Sequence, residues 1–118
     1  RMGRALVRTL SDLPETERWV LIADDAIEAR PEALQEIRRT LREAGLGEAV
    51  EIRWTPWTAE QGPPSGWDLA LIRADRESTE LRNFEALIAQ GRVGLIDEQR
   101  ISKYIYRLYL QRDETPTP

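Results

Sequence analysis

The sequence predicts an α+β fold, a sheet backed by helices in two layers, and three observations carry that expectation. First, Trp19-Val20-Leu21-Ile22-Ala23 and Trp67-Asp68-Leu69-Ala70-Leu71-Ile72 are short, nearly continuous apolar runs, the pattern of strands buried on both faces. Second, Val50, Ile52 and Trp54 alternate with Glu51, Arg53 and Thr55, as in a strand with one wet face. Third, Leu34, Ile37, Leu41 and Ala44, and later Leu81, Phe84, Leu87 and Ile88, recur at the three- and four-residue spacing of helices with one apolar side.

Taken in order, Ala5 to Leu10 reads as a short strand in preference to a helical turn, and Ser11 to Glu15 as a loop. The strand over 19–23 ends abruptly in Asp24 and Asp25. Pro31 suits a first helical residue and Glu32 its first turn, where a carboxylate complements the helix dipole. That helix runs through Arg38, Arg39 and Arg42 to Gly45-Leu46, a left-handed stop followed by an apolar contact. The strand over 50–54 should be an edge, and Pro56 ends it. Residues 58–66 are rich in Pro and Gly and form the longest irregular link, after which 67–72 should be central. Ser78 caps a second helix that stops at Gly91, and Val93 to Asp97 makes another buried strand. Ile101, Tyr104, Ile105 and Leu108 then resume a helical period, with Tyr106 and Leu110 pointing away. The alternative is a strand at an added sheet edge, with Tyr104, Tyr106, Leu108 and Leu110 on one face and Ile105, Arg107, Tyr109 and Gln111 on the other.

Two topologies put 19–23 and 67–72 in the middle. A ferredoxin-like βαββαβ sheet does so in the order 4-1-3-2, here with an extra C-terminal helix, and a flavodoxin-like parallel sheet does so in the order 2-1-3-4. Parallel neighbours need a crossover, and the link over 55–66 has no helical stripe to supply one, so the ferredoxin-like arrangement is preferred. Residues 1–112 form one domain and 113–118, with two prolines, a frayed tail. The stretch Trp19-Val20-Leu21-Ile22-Ala23-Asp24-Asp25, followed after a helix and a strand by Trp67-Asp68-Leu69-Ala70-Leu71-Ile72-Arg73, resembles in outline the first and third strands of response-regulator receiver domains. That resemblance implies a magnesium ion on the acidic pair and a phosphate-accepting Asp after the third strand. Arg73 occupies the latter position, so the resemblance implies a degenerate receiver that is not phosphorylated in the usual way.

Composition narrows the chemistry. The net charge of −4 argues against a surface built for nucleic acid or anionic lipid. Cys and His are both absent, which removes thiolate and imidazole metal ligands and every Ser-His or Cys-His nucleophile pair. Any catalysis must rest on carboxylates, Arg, Tyr or a bound cofactor. Arginine outnumbers lysine sixteen to one, and Asn83 and Met2 are the sole residues of their types, a usage compatible with a thermophile. No apolar stretch approaches the roughly 20 residues of a membrane span, and none looks like a signal peptide, so the expected location is the cytoplasm. Arg1, ahead of Met2, reads as an appended residue and is left out of the fold argument.

Asp24 and Asp25 are the candidate Mg²⁺ ligands, because hard divalent cations favour carboxylate oxygens; the plainer reading has one capping a turn and the other solvated. Arg30, Arg38, Arg39 and Arg42 are interleaved with Glu32, Glu36 and Glu43 and read as a solvated helix face rather than a phosphate site. Trp54 and Trp67 read as structural. Trp57, on the irregular link, and Tyr106, Tyr109 and Leu110, in excess of what one helix face needs, make the candidate interaction surface. The functional expectation is a non-catalytic protein–protein interaction module, an accessory or adaptor subunit binding another protein subunit or a second copy of itself, with neither nucleic-acid binding nor membrane insertion. The competing expectation is a small carboxylate-dependent, Mg²⁺-binding enzyme or degenerate receiver-like regulatory domain centred on Asp24 and Asp25.

Overall fold

A computed structural model describes residues 1–13, 18–23, 25–54, 66–75 and 79–111. Among them the chain forms four helices and five strands: α1 (Met2–Ser11), β1 (Trp19–Ala23), α2 (Asp25–Ala29), α3 (Glu32–Glu43), β2 (Val50–Trp54), β3 (Leu69–Arg73), α4 (Thr79–Ala89), β4 (Val93–Ile101) and β5 (Tyr104–Gln111). The strands make one sheet in the order β2-β1-β3-β5-β4. β1 is parallel to both β2 and β3, and β5 is antiparallel to β3 and to β4. β4 therefore runs in the direction of β1, β2 and β3, and β5 is the one reversed strand.

The class is mixed α and β, as the periodicities predict, but the ferredoxin-like order 4-1-3-2 is not the one found. The first three strands stand in the parallel order 2-1-3 of the flavodoxin-like alternative, and β5 is inserted where that arrangement would place β4 beside β3. The expectation rested on the lack of a helical stripe in the crossover, but what a parallel connection first requires is reach, a dozen or more residues. Residues 55–68 could span on the order of 45 Å when extended, against about 17 Å for a five-residue strand. Most of that link lies outside the described residues.

Two further elements differ from expectation. Residues 2–11 are a helix rather than a strand, with Met2, Leu6 and Leu10 buried at four-residue spacing. The first turn of α1 is tied by side chains of two other elements: Glu36 of α3 accepts from the Gly3 amide at 3.2 Å, and Gln99 of β4 accepts from the Met2 amide at 3.2 Å. Gly3 allows the close approach of α3, since a β-carbon there would lie 2.5 Å from Thr40 Cβ. The C-terminal segment is a strand rather than an extra helix. β4 continues to Ile101, turns through Ser102-Lys103 with Ser102 at φ 58°, and returns as β5, with Ile101 opposite Tyr104. β5 lies inside the sheet, not at the added edge that the alternative reading gave it.

Helices cover both faces, so the layers number three rather than two. On one face Met2, Leu6 and Leu10 of α1 and Leu34, Ile37 and Leu41 of α3 pack with Leu21, Leu69, Leu71, Tyr106 and Leu108. On the other, Leu81 and Phe84 of α4 pack with Ile22, Trp67, Ala70, Ile72, Val93 and Tyr109. Phe84 stacks on Tyr109 with ring centres 4.9 Å apart and meets Trp67 edge-on at 5.7 Å. β3 and β5 carry apolar side chains on both faces because they are covered on both. Asp68, the polar interruption just before β3, is used by the sheet: its Oδ2 accepts the Val20 amide at 2.8 Å and its own amide donates to the Val20 carbonyl. α3 ends as the sequence predicts, with Gly45 at φ 77° and the Leu46 amide donating to the Leu41 carbonyl.

Candidate functional site

Three parallel strands ending at one rim bring Ala23, Trp54 and Arg73 to the same side of the molecule. After β1 the chain returns through α3 on one face of the sheet, and after β3 through α4 on the other. The carboxyl ends of β1 and β3 therefore bound a topological switch point, the crevice where open α/β sheets gather ligands. β5 begins at this rim, with Tyr106 opposite Arg73 and the Ile105 carbonyl accepting from the Ala74 amide at 2.7 Å. The β4–β5 turn thus carries Lys103 and Tyr104 over the strand ends.

A charged cluster is built around the Tyr104 ring. Arg30, from the link between α2 and α3, places Cζ 4.4 Å from the ring centre, and Arg73 places Cζ 4.7 Å from it. Lys103 Nζ is 5.5 Å away. Ring faces attract cations through their quadrupole, worth about 0.5–1 kcal/mol each at exposed sites. Among the described residues two carboxylates border the group: Asp75 Oδ1 is 2.9 Å from Arg73 Nε, and Glu32 Oε1 accepts the Tyr106 hydroxyl at 3.2 Å. Burial, and then the charge of Glu32, push the Tyr106 phenol up to about 12, against an opposing pull from Arg73 and Arg30.

The residues singled out from the sequence are placed as follows. Asp24 and Trp57 lie outside the described residues. Asp25 opens α2 directly after β1. Among the described residues no group of three acidic side chains converges as a metal site. Tyr106 and Tyr109 are not surface residues: they are 0% and 1% exposed, one on each side of the sheet, and their own domain supplies the cover that a partner was expected to provide. Leu110 is partly buried against the α1–α3 side. The cause is the strand period, which sends alternate residues of β5 into two different cores where a helical reading saw a surplus. Trp67 is structural, as expected, but Trp54 is 43% exposed at the end of the edge strand β2.

Arg30 does not belong to a stripe with Arg38, Arg39 and Arg42, which lie on exposed positions of α3. It turns to Tyr104 instead. The sequence signals for the rim cluster were Arg73, noted only as a mismatch to an expected Asp, and the lone lysine beside Tyr104. Neither could be joined to Arg30 without the hairpin that folds β5 back onto β3.

A second exposed feature is apolar. β4 is the other edge of the sheet; Leu95 on it is 51% exposed, and Ile88 on α4 is 38% exposed. Leu95 shares the α4 side with Val93, two residues before it. Comparison with protein-family models, with curated proteins and with solved structures gave no match for this chain.

Proposed function

We propose that the domain is a non-catalytic protein–protein interaction module, an accessory or adaptor subunit of a larger cytoplasmic complex, and that it docks its partner along the open edge of β4. The observation that carries this reading is Leu95, the most exposed large apolar side chain among the described residues, on an edge strand whose outward backbone groups can accept another strand. Ile88, on the helix that covers the same side of the sheet, is also exposed. The second half of β4 is unsuited to pairing, since a bulge between Leu95 and Asp97 twists it and Glu98 and Arg100 are charged and exposed. Docking is therefore confined to the first half of the strand. Leu95→Glu combined with Ile88→Lys is expected to abolish capture of a partner that the unaltered protein retains in pull-down and mass spectrometry, with circular dichroism unchanged. Monomeric sedimentation at high concentration together with identical capture by both proteins would overturn the reading.

A second reading is favoured by the parallel order 2-1-3 and by Asp25 opening a helix directly after β1. In it the chain is a degenerate receiver-like regulatory domain or a Mg²⁺-dependent enzyme, with Asp24 and Asp25 holding the ion. It predicts a saturable rise in melting temperature with Mg²⁺ that Asp24→Ala and Asp25→Ala both remove. A flat titration excludes it.

A further inference from the structure

We propose that the rim above β1 and β3 is a binding site for a phosphate monoester, held by Arg30, Arg73 and Lys103 around the Tyr104 ring. Three separate segments deliver these cations: the α2–α3 link, the end of β3 and the β4–β5 turn. All three charges lie within 5.5 Å of one ring centre. Placed so, no two of these charges are more than about 10 Å apart, and they repel one another while the ring attracts each of them. Core packing supplies no reason for the grouping, because Arg30 and Lys103 are exposed. An anion seated among them supplies one.

Among the described residues the carboxylates that border the cations are already engaged. Arg73, whose side chain is 19% exposed, is paired through Nε with Asp75 and keeps its two terminal nitrogens. Glu32 is engaged with the Tyr106 hydroxyl. Among the described residues Arg30 and Lys103 have no ion-pair partner. These two free charges match the roughly −1.5 to −2 of a phosphate monoester at neutral pH, and planar guanidinium groups present several N–H donors to phosphoryl oxygens. The location is the carboxyl ends of β1 and β3, the switch point of the sheet, where open α/β folds gather ligands. Recognition rests on the phosphoryl group, since cations already occupy the neighbourhood of the Tyr104 ring.

Isothermal titration at constant ionic strength tests the site, with inorganic phosphate, AMP and adenosine as probes. AMP and phosphate are expected to bind saturably and adenosine not at all. Arg30→Gln and Lys103→Gln, both at exposed positions and checked by circular dichroism, should each weaken AMP by about tenfold or more, as loss of a charge-assisted contact does. Lys103→Arg should hold the affinity within a few-fold. Absence of saturable phosphate or AMP binding, affinity unchanged in both Gln variants, or adenosine binding as tightly as AMP would each overturn the proposal.

Discussion

Tyr106 shows how a single side chain links core, sheet and rim. Its ring is buried between β5 and the helices α1 and α3, yet its hydroxyl reaches Glu32 at 3.2 Å. A buried hydroxyl without a partner would cost about 1–3 kcal/mol, so the carboxylate is a structural requirement of placing tyrosine here. The same environment makes stability depend on pH. The folded-state value of about 12 lies above the ordinary 10.0, so the folded state holds the phenolic proton more tightly than the unfolded chain does. This contribution is complete below pH 10 and is lost as pH rises from 10 toward 12. Its size is roughly 2–3 kcal/mol at the full shift. Tyr106→Phe should therefore be less stable than the parent near neutral pH by about 1 kcal/mol and should lack this part of the alkaline decline. Denaturant titrations between pH 8 and 11.5 measure both; parallel curves for the two proteins would show that another group causes the slope. Tyr106→Glu, by contrast, would put a second carboxylate into the core beside Glu32 and should unfold the domain rather than detach a partner.

At the scale of elements, legibility followed the number of independent signals at each boundary. α3 was readable from end to end because its apolar period, its first-turn Glu32 and its Gly45 stop agreed, and all three are seen. β1, β2 and β3 were readable as strands for the same reason, with short apolar or alternating runs bounded by Pro, Gly or charge. α1 was missed because the reading began at Ala5; without Met2, the four-residue series Met2, Leu6, Leu10 shrinks to a pair that a strand can mimic. β5 was missed as first choice because a strand buried on both faces has no alternation of polarity to display. Tyr104, Ile105 and Leu108 then satisfied a helical period by coincidence, while the Ser102-Lys103 turn gave only a weak signal: serine rarely adopts the positive φ it has here. The rim cluster was illegible for a related reason. Arg30, Arg73 and Tyr104 are far apart in sequence, and only the antiparallel return of β5 beside β3 brings the last two to adjacent strand ends.

For the molecule as a whole, one sheet serves two cores, and β3 and β5 are common to both. Leu69 and Leu71 face α1 and α3 while Ala70 and Ile72 face α4, so neither core can open without removing one wall of the other. Such sharing predicts a single cooperative transition even though the helices lie in two unconnected layers. It also predicts additivity across the sheet. Leu41→Ala on α3 should cost about 2–5 kcal/mol and Ile72→Val on the opposite face about 0.5–1.5 kcal/mol, each by loss of buried methyl or methylene groups and the cavity left behind. The two sites share no packing partner, so the double variant should lose the sum within about 0.5 kcal/mol. Urea unfolding followed by circular dichroism and by tryptophan fluorescence gives both results, because Trp67 reports from the α4 side and Trp19 from the side of α1 and α3. Two separated transitions would mean that the layers unfold independently and that the shared strands do not couple them. A coupling well beyond 0.5 kcal/mol with a single transition would mean that the sheet itself shifts when either face is thinned, which would carry strain from the helical layers to the rim where Arg73 and Tyr104 meet.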